Sequence, residues 1–235
     1  MGTSWTEIIT NYAMAEIDDV RLQEEAQISP AQFLRRMSLY VNLALPLLNR
    51  PPELVPYLQT GLVRATYTDY TWTSDTASMS GATLVNVGAV GYGLCSCVIR
   101  TESPTGYVTL TPYTGFTYDS ETGYVTFPQQ SAEGVVYVLD FYNDGSFEQE
   151  LSPTLKRLMG LAVAFTWDER FSRNWLNMQV KIHDTEFNVA NEATYMREVT
   201  ARLQKMKATF FDELQKYEQD VAFKNVSGMR TTSFL

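Results

Sequence analysis

The chain lacks lysine in the region where β-forming residues are most frequent. No lysine occurs from Gly61 to Asp144, a stretch rich in Thr, Tyr, Val and Gly. Residues 1–60 carry 4 basic and 7 acidic side chains, residues 61–150 carry 2 and 10, and residues 151–235 carry 12 and 10, for a net charge of −9. An acidic middle argues against wrapping nucleic acid and against adhesion to anionic membranes, which need clustered Lys and Arg. We therefore expect no sequence-specific nucleic-acid binding and no membrane partner.

Reactive and metal-binding side chains are also scarce, with two cysteines and one histidine. These are too few for a structural zinc site. Cys95 and Cys97 point to the same side of a predicted strand, where a disulfide across one residue would be strained, so we expect reduced thiols. His183 lies beside no nucleophile motif and is best interpreted as a surface or turn residue. The sequence therefore predicts no enzyme, no catalytic or metal-binding residues and no cofactor.

A calcium loop is only partly present. Asp140 and Asp144-Gly145 occupy positions 1, 5 and 6 of an EF-hand loop, but Tyr142 and Leu151 stand where the loop needs its third ligand and its bidentate glutamate. The segment is better interpreted as a hairpin turn between two strands.

The first 60 residues predict a helical hairpin. A capping box formed by Ser4 and Glu7 starts the first helix, and Ser29-Pro30 starts the second. Pro46 should kink the second helix and Pro51-Pro52 should end it. The apolar face of the first helix consists of Trp5, Ile9, Tyr12, Ala13, Ile17 and Val20. That of the second consists of Phe33, Met37, Tyr40, Val41, Ala44 and Leu48.

Residues 151–235 predict two further helices and a tail. Ser152-Pro153 opens a helix whose segment Leu155 to Phe165 is apolar nearly all round and should be central, although its longest apolar run is too short to span a bilayer. A polar stretch follows from Asp168. The last helix, about Asn191 to Phe223, carries apolar residues at nearly coiled-coil spacing, and the tail begins at Lys224. The seam consists of Met196, Val199, Leu203, Met206, Phe210, Leu214, Tyr217 and Val221.

The middle of the chain, residues 61–150, predicts an inserted β-module. Turns are expected at residues 119–123 and 143–145, where Asn, Asp and Gly supply the backbone angles. Six or seven short strands with such turns predict a small antiparallel sandwich or barrel, and the whole chain an α+β fold with a helical body. The strands are Val63 to Trp72, a strand pair within Thr83 to Ile99 around Gly88, Gly91 or Gly93, Tyr107 to Leu110, Gly115 to Tyr118, Tyr124 to Phe127 and Val135 to Tyr142.

Most of the chain resembles a known class of structural proteins in layout, and the similar motifs begin in its middle. The similar residues are predicted to form, in order, two strands joined by a turn, a further strand, a DG-x-F turn and a Ser-capped helix that ends near Trp167. Phe187 to Glu192 then lead into a long helix. The strand, turn and cap residues are Tyr118-Asp119, Gly123 to Phe127, Val138 to Tyr142, Asp144 to Phe147 and Leu151-Ser152-Pro153. This order resembles the head-to-tail adaptors, or connectors, in the neck of tailed bacteriophages.

The resemblance implies a function in assembly. Such adaptors form a ring of identical subunits, usually twelve, between the portal protein and the downstream neck or tail proteins. The helices would form the wall around the DNA passage, and the β-module would pack on neighbours or face outward. The chain would then be located in the virion neck after assembly in the host cytoplasm. An acidic channel suits this function, because it repels DNA and eases its passage.

Two other functions remain open from the residues alone. One is a carbohydrate- or receptor-binding module carried on a helical stalk, and the other is a hydrolase that uses acids of the β-module such as Glu121 and Asp140. Ordinary inner and outer faces of a small sheet are the plainer interpretation of the same residues. The aromatic residues available for a sugar-binding face are Tyr67, Tyr70, Trp72, Tyr113, Tyr118 and Tyr124.

Overall fold

Helices and antiparallel strands build two compact units. The computed structural model describes residues 2–17, 19–48, 62–63, 71–73, 83–128, 136–147, 150–182 and 189–232. The protein is 56% helical and 23% strand, and its strands pair antiparallel, which confirms the α+β prediction. The first unit comprises Met1–Asp18, Leu39–Val63 and Ser146–Leu235, and the second comprises Asp19–Ser38 and Arg64–Gly145. Residues of the predicted N-terminal hairpin are therefore divided between both units.

Helix α1 begins at the predicted cap but is not uniform. It consists of Trp5–Glu7, a π-helical turn Ile8–Ala13, and Met14–Glu16. The Oγ of Ser4 accepts a hydrogen bond from the backbone N–H of Glu7 at 3.0 Å, which satisfies one of the free donors at the helix start. The predicted N-terminal cap is therefore confirmed.

The predicted continuation of this helix to Val20 is wrong. Ile17 has extended backbone angles, and the carboxylate of Asp19 accepts hydrogen bonds from the N–H groups of Arg21 and Leu22, so Asp19 caps a new helix. This helix, α2, spans Val20–Ile28, and Val20 is 64% exposed in its first turn. No separate helix is predicted here from the sequence.

Helix α3, Pro30–Ala44, buries its predicted face. A 3-10 turn, Leu45–Leu47, follows and contains Pro46, so the proline ends the α-helix at the place where a kink is predicted. Pro51-Pro52 lies outside the described residues. The buried residues include all six that the sequence predicts, Phe33, Met37, Tyr40, Val41, Ala44 and Leu48.

The two C-terminal helices are longer than predicted. Helix α4 spans Pro153–Ile182, and helix α5 spans Val189–Thr232. The predicted end of α4 near Trp167 and the predicted tail from Lys224 are therefore wrong. The physical reason is that no proline follows Pro153, so nothing in the chain forces these helices to stop at their polar residues.

Helices α4 and α5 form an antiparallel hairpin in the first unit. The guanidinium of Arg202 lies 3.4 Å from the carboxylate of Asp168. Asp168 is 14 residues before the end of α4 at Ile182, and Arg202 is 13 residues after the start of α5 at Val189. The two residues therefore lie about equally far along the chain from the connection between the helices, so the helices run in opposite directions. The predicted central segment of α4 is buried, including Leu158, Met159, Leu161, Ala162, Val163 and Ala164.

Nine strands form three antiparallel sheets among the described residues. The strands are β1 Leu62–Val63, β2 Thr71–Thr73, β3 Thr83–Asn86, β4 Leu94–Glu102, β5 Val108–Tyr113, β6 Thr117–Asp119, β7 Tyr124–Phe127, β8 Val136–Tyr142 and β9 Ser146–Phe147. The strand orders are β2-β8-β4-β5, β3-β7-β6 and β1-β9. No sheet formed by these strands closes into a barrel.

Two predicted strand connections are wrong. Strands β3 and β4 belong to different sheets, so Thr83 to Ile99 forms no hairpin, and the N–H of Val87 instead donates to the carbonyl of Gly123 at 3.1 Å. Residues 143–145 likewise join β8 to β9 of another sheet. The side chain of Asn143 accepts a hydrogen bond from the N–H of Gly93 at 2.8 Å, a bond between distant segments that a local turn pattern cannot reveal.

The second unit has a layered core. Side chains of a strand alternate between the two faces of its sheet, so Cys97 and its partner Leu139 face one side, and Ser96 and its partner Asp140 face the other. On the Ser96 side, Ser96 and Asp140 contact Ser29, and Ser96 also contacts Ala31 at the start of α3. On the Cys97 side, residues of the four-stranded and three-stranded sheets belong to one core cluster, which consists of Val87, Ala89, Cys97, Val125, Phe127, Tyr137, Leu139 and Phe141.

Candidate assembly surfaces

Asp140 is part of a buried polar cluster rather than an open site. Only 4% of Asp140 is exposed, its carboxylate accepts a hydrogen bond from the hydroxyl of Ser29 at 3.1 Å, and the guanidinium of Arg35 lies 3.5 Å away. Ser96 on β4 contacts the Ser29 hydroxyl at 2.8 Å and accepts a bond from the N–H of Ala31 at 3.3 Å. The sheet thus satisfies a donor in the first turn of α3. These bonds hold the helices on the sheet and exclude the EF-hand interpretation of Asp140.

A second ion pair joins α2 to α3 beside this cluster. The guanidinium of Arg36 donates to the carboxylate of Glu25 at 2.5 Å. Burial raises the pKa of Glu25, and the nearby charges of Arg36 and Arg35 oppose that rise. Arg36 is largely exposed whereas Arg35 is mostly buried, so the two neighbouring arginines have different surroundings.

The two cysteines are free and chemically quiet. Cys97 is buried and Cys95 is half-buried on the same face of β4, as predicted. Burial, with a smaller contribution from the charge of Asp140, raises the pKa of Cys97 to about 12, and burial raises that of Cys95 as well. Since the thiolate is the nucleophile and the metal ligand, both residues are inert at neutral pH. Among the described residues, no group of three or more His, Cys, Asp and Glu side chains is placed to hold a metal ion.

The described candidates for a sugar-binding face do not share a surface. The ring of Tyr113 packs against Phe127, and the hydroxyl of Tyr118 donates to the carbonyl of Ala89 at 2.6 Å, so both belong to the core. Tyr124 is 36% exposed on the outer face of the three-stranded sheet. The side chains of Tyr67, Tyr70 and Trp72 lie outside the described residues, as does His183.

The two acids proposed for a hydrolase, Glu121 and Asp140, also differ in their exposure to solvent. Glu121 is exposed in the turn after β6, and Asp140 is buried on the helix-covered face of β8. The carboxylate of Asp119 accepts hydrogen bonds from the hydroxyl of Thr122 at 2.6 Å and the N–H of Glu121 at 3.0 Å, and the Thr122 bond contributes most to lowering the pKa of Asp119. This turn is therefore fixed by its own side chains.

Lys156 joins the start of α4 to the start of α1. Its ammonium group donates to the carboxylates of Glu7, at 2.7 Å, and of Glu150, and these bonds raise its pKa. The side chain of Glu7 is thus committed to Lys156, whereas the capping box predicts a bond back to Ser4. This contact is not predicted from the sequence, although Lys156 is the first lysine of the chain and lies with Arg157 at the start of a largely apolar helix segment.

The inner face of α5 is the predicted seam. Phe210 is fully buried and Leu214 is 4% exposed, while the other seam residues whose side chains are described are half-buried. At 1.5 Å per residue α5 is about 66 Å long and α4 about 45 Å. Because the hairpin is antiparallel, α5 extends past the start of α4. The part that extends is roughly the segment of α5 after Glu218. The half-buried seam residues are Val199, Leu203, Met206, Tyr217 and Val221.

A two-stranded arm is exposed on both faces in the second unit. We call residues 100–112, the outer parts of β4 and β5 with their turn, the β4–β5 arm. Every residue of the arm is exposed except Ser103, which is half-buried. The turn is closed by hydrogen bonds from the N–H of Ser103 to the carbonyl of Tyr107 at 2.8 Å and from the N–H of Gly106 to the carbonyl of Ser103 at 2.9 Å. Gly106 has a φ of 80°, which favours glycine.

The arm carries apolar side chains and an edge strand. Tyr107 is 78% exposed, and Val108 and Leu110 are each 43% exposed. Leu110 pairs with Arg100 and Val108 pairs with Glu102, so both apolar residues lie on the face that α2 and α3 cover further along the sheet. Within the described sheet β5 is an edge strand, and none of its residues is charged.

Comparisons with known proteins give no relative. No protein-family model matches the chain, and no curated protein or solved structure matches it. Within the described residues, no helix combines the length and the apolar character that crossing a membrane requires.

Proposed function

We propose that this protein is a structural virion protein, a head-to-tail adaptor that forms a ring between the portal and the tail of a bacteriophage and lines the DNA passage. The proposal includes the virion neck as its location, the portal and the downstream neck or tail proteins as partners, and no catalytic activity. It starts from the order of motifs between Tyr118 and Pro153 and their resemblance to such adaptors.

The α4–α5 hairpin is the observation that carries the proposal. The first unit comprises 133 residues, and a compact domain of that size is about 36 Å across, which α4 alone already exceeds. Helix α5 is about 20 Å longer, and five residues of its seam are only half-buried. A helix that is longer than the packing within its own chain requires is suited to contact neighbours in an assembly.

The second unit supports the same proposal through its charge. Segment 61–150, most of which lies in the second unit, carries 2 basic and 10 acidic residues, so this part of a ring would repel DNA rather than bind it. We further propose that the four- and three-stranded sheets form a small antiparallel sandwich, because both contribute to one apolar cluster.

Mass measurement by light scattering tests the proposal. We expect the protein, alone or mixed with the portal protein of the same phage, to form a ring or a decorated portal that negative-stain microscopy resolves. A strict monomer that ignores the portal at high concentration would contradict the proposal. A monomer that instead binds glycans, with binding lost in Tyr124→Ala, would favour the carbohydrate-binding alternative.

A further inference from the structure

The edge strand β5 has no charged residue, and its one proline, Pro112, is the fifth of its six residues. Natural edge strands carry charges, prolines or bulges that prevent pairing with another chain. From Ser103 to Tyr118 there is no charged residue, and Pro112 lies at the end of the arm next to the body of the sheet. The backbone of β5 from Val108 to Thr111 is therefore an open template for another strand.

The shape of the arm favours a strand over other partners. A two-stranded ribbon that buries neither face is only marginally stable alone. The arm nevertheless has a closed turn and continuous pairing from Cys97 with Tyr113 to Glu102 with Val108. Two of its exposed apolar side chains, Val108 and Leu110, lie two residues apart on one face. This distance is the spacing along a strand, and it is too narrow for the groove that binds a helix.

We propose that β5 of one copy pairs with the edge of the four-stranded sheet in a second copy of this chain. The inference rests on the proposed function, since it names the surface through which the ring closes. In the described sheet the opposite edge is β2, Thr71–Thr73, which also has no charge. Pairing two different edges of the same sheet is a head-to-tail contact, and such a contact forms a ring when the rotation between neighbouring copies closes.

Charge distinguishes a second copy from other partners. Each copy carries a net charge of −9, so contact between two copies is least opposed where both surfaces lack charge. The uncharged stretch Ser103 to Tyr118 includes all of β5, and β2 is uncharged as well. Two copies can therefore approach through these strands without like charges facing each other.

A matched pair of leucine substitutions tests the inference. Leu110→Lys places a charge on the β5 edge, and Leu84→Lys places the same charge on β3, an edge strand of the other sheet where Leu84 is 63% exposed. Both positions are exposed, so both variants should retain the wild-type circular dichroism and unfolding midpoint. We expect Leu110→Lys to weaken self-association, measured by sedimentation alone or on the portal, about tenfold or more, and Leu84→Lys to leave it unchanged.

Hydrogen exchange provides an independent readout of strand pairing. In the assembled wild type we expect slower exchange of backbone N–H groups in Val108 to Thr111 than in dilute monomer. A ring that forms without this protection, or that both lysine variants weaken equally, would overturn the inference and leave the proposed function intact. If no assembly forms alone or on the portal, the proposed function fails, and the inference fails with it.

Discussion

Helices α1 and α4 approach each other closely at one glycine. A Cβ atom at Gly160 would lie 2.9 Å from the carbonyl carbon of Tyr12 and 3.0 Å from the backbone nitrogen of Ala13. Backbone atoms cannot move aside as a flexible side chain can. We expect Gly160→Ala to lower the free energy of unfolding, measured with urea, by about 1–3 kcal/mol, although alanine favours helix by about 1 kcal/mol.

Gly93→Ala is the matched control for this substitution. The nearest atom to its added Cβ is the side-chain oxygen of Asn143 at 3.8 Å, an ordinary contact. Its unfolding free energy should stay within about 0.5 kcal/mol of the wild type. Equal stability of the Gly160→Ala and Gly93→Ala variants would show that α1 and α4 are not as close as the structure places them.

Two adjacent arginines on α3 provide a second residue-scale prediction. Arg35 faces the buried carboxylate of Asp140, whereas Arg36 pairs with Glu25 and is 47% exposed. Arg35→Ala leaves a buried charge without its cation and should cost about 3 kcal/mol. Arg36→Ala removes an ion pair in which Arg36 is half-exposed and Glu25 keeps Arg35 nearby, and should cost about 1 kcal/mol. Chemical unfolding measures both, and the reverse order would contradict the buried cluster.

At the scale of elements, helix starts are predictable because their signals are local. Ser4 and Ser152 accept hydrogen bonds from N–H groups three residues ahead, at Glu7 and Leu155. The break at Ile17 is missed because Val20 continues the apolar period of α1. The ends of α4 and α5 are missed for a related reason, since polar residues alone do not terminate a helix.

Strand positions are predictable, but strand partners are not. The segments of β7 and β8 are found within one residue, because β-branched and aromatic residues mark them. Glycines between β3 and β4 suggest a hairpin, yet the partner of β3 is β7. For the same reason the alternation in β5 does not reveal that both faces of the β4–β5 arm are exposed, since exposure depends on what other elements cover.

The Lys156 bridge makes the pairing of α1 with α4 sensitive to acid. Its hydrogen bond lowers the pKa of Glu150 below the ordinary 4.5, so the carboxylate stabilises the fold above that pH and the contribution is lost as pH falls through the lowered pKa. The raised pKa of Lys156 keeps its own contribution complete up to its ordinary 10.5. We expect Lys156→Met to melt at a lower temperature at pH 7 and to lose less on acidification than the wild type does.

The neighbouring cation is the control for the acid experiment. Arg157 is exposed, so Arg157→Met should change the melting temperature little and should keep the wild-type loss of stability between about pH 5 and pH 3. Thermal melts followed by circular dichroism across this range compare the three proteins. Identical pH profiles for Lys156→Met and the wild type would contradict the bridge.

At the scale of the whole molecule, net charge predicts behaviour toward DNA. The chain carries −9, and 10 of its 27 acids lie in segment 61–150 with only Arg64 and Arg100 as cations. We expect no retardation of duplex DNA in a gel-shift experiment at 150 mM salt and none at 50 mM, where phosphate binding would be strongest. Retardation that weakens steeply with salt would mean that the basic residues of α5 bind DNA despite the total charge.

The two units are also completed at different times as the chain is made. Thr3 accepts hydrogen bonds from the N–H of Phe147 at 2.9 Å and from that of Leu151 at 2.7 Å, so the first unit combines the N-terminal segment with residues made after the second unit. The second unit is complete once Gly145 has been added. At about 5–20 residues per second, the apolar face of α1, including Trp5, waits on the ribosome roughly 7–30 s for α4. Nascent chains of this protein therefore expose their N-terminus to chaperones while the second unit is already able to fold.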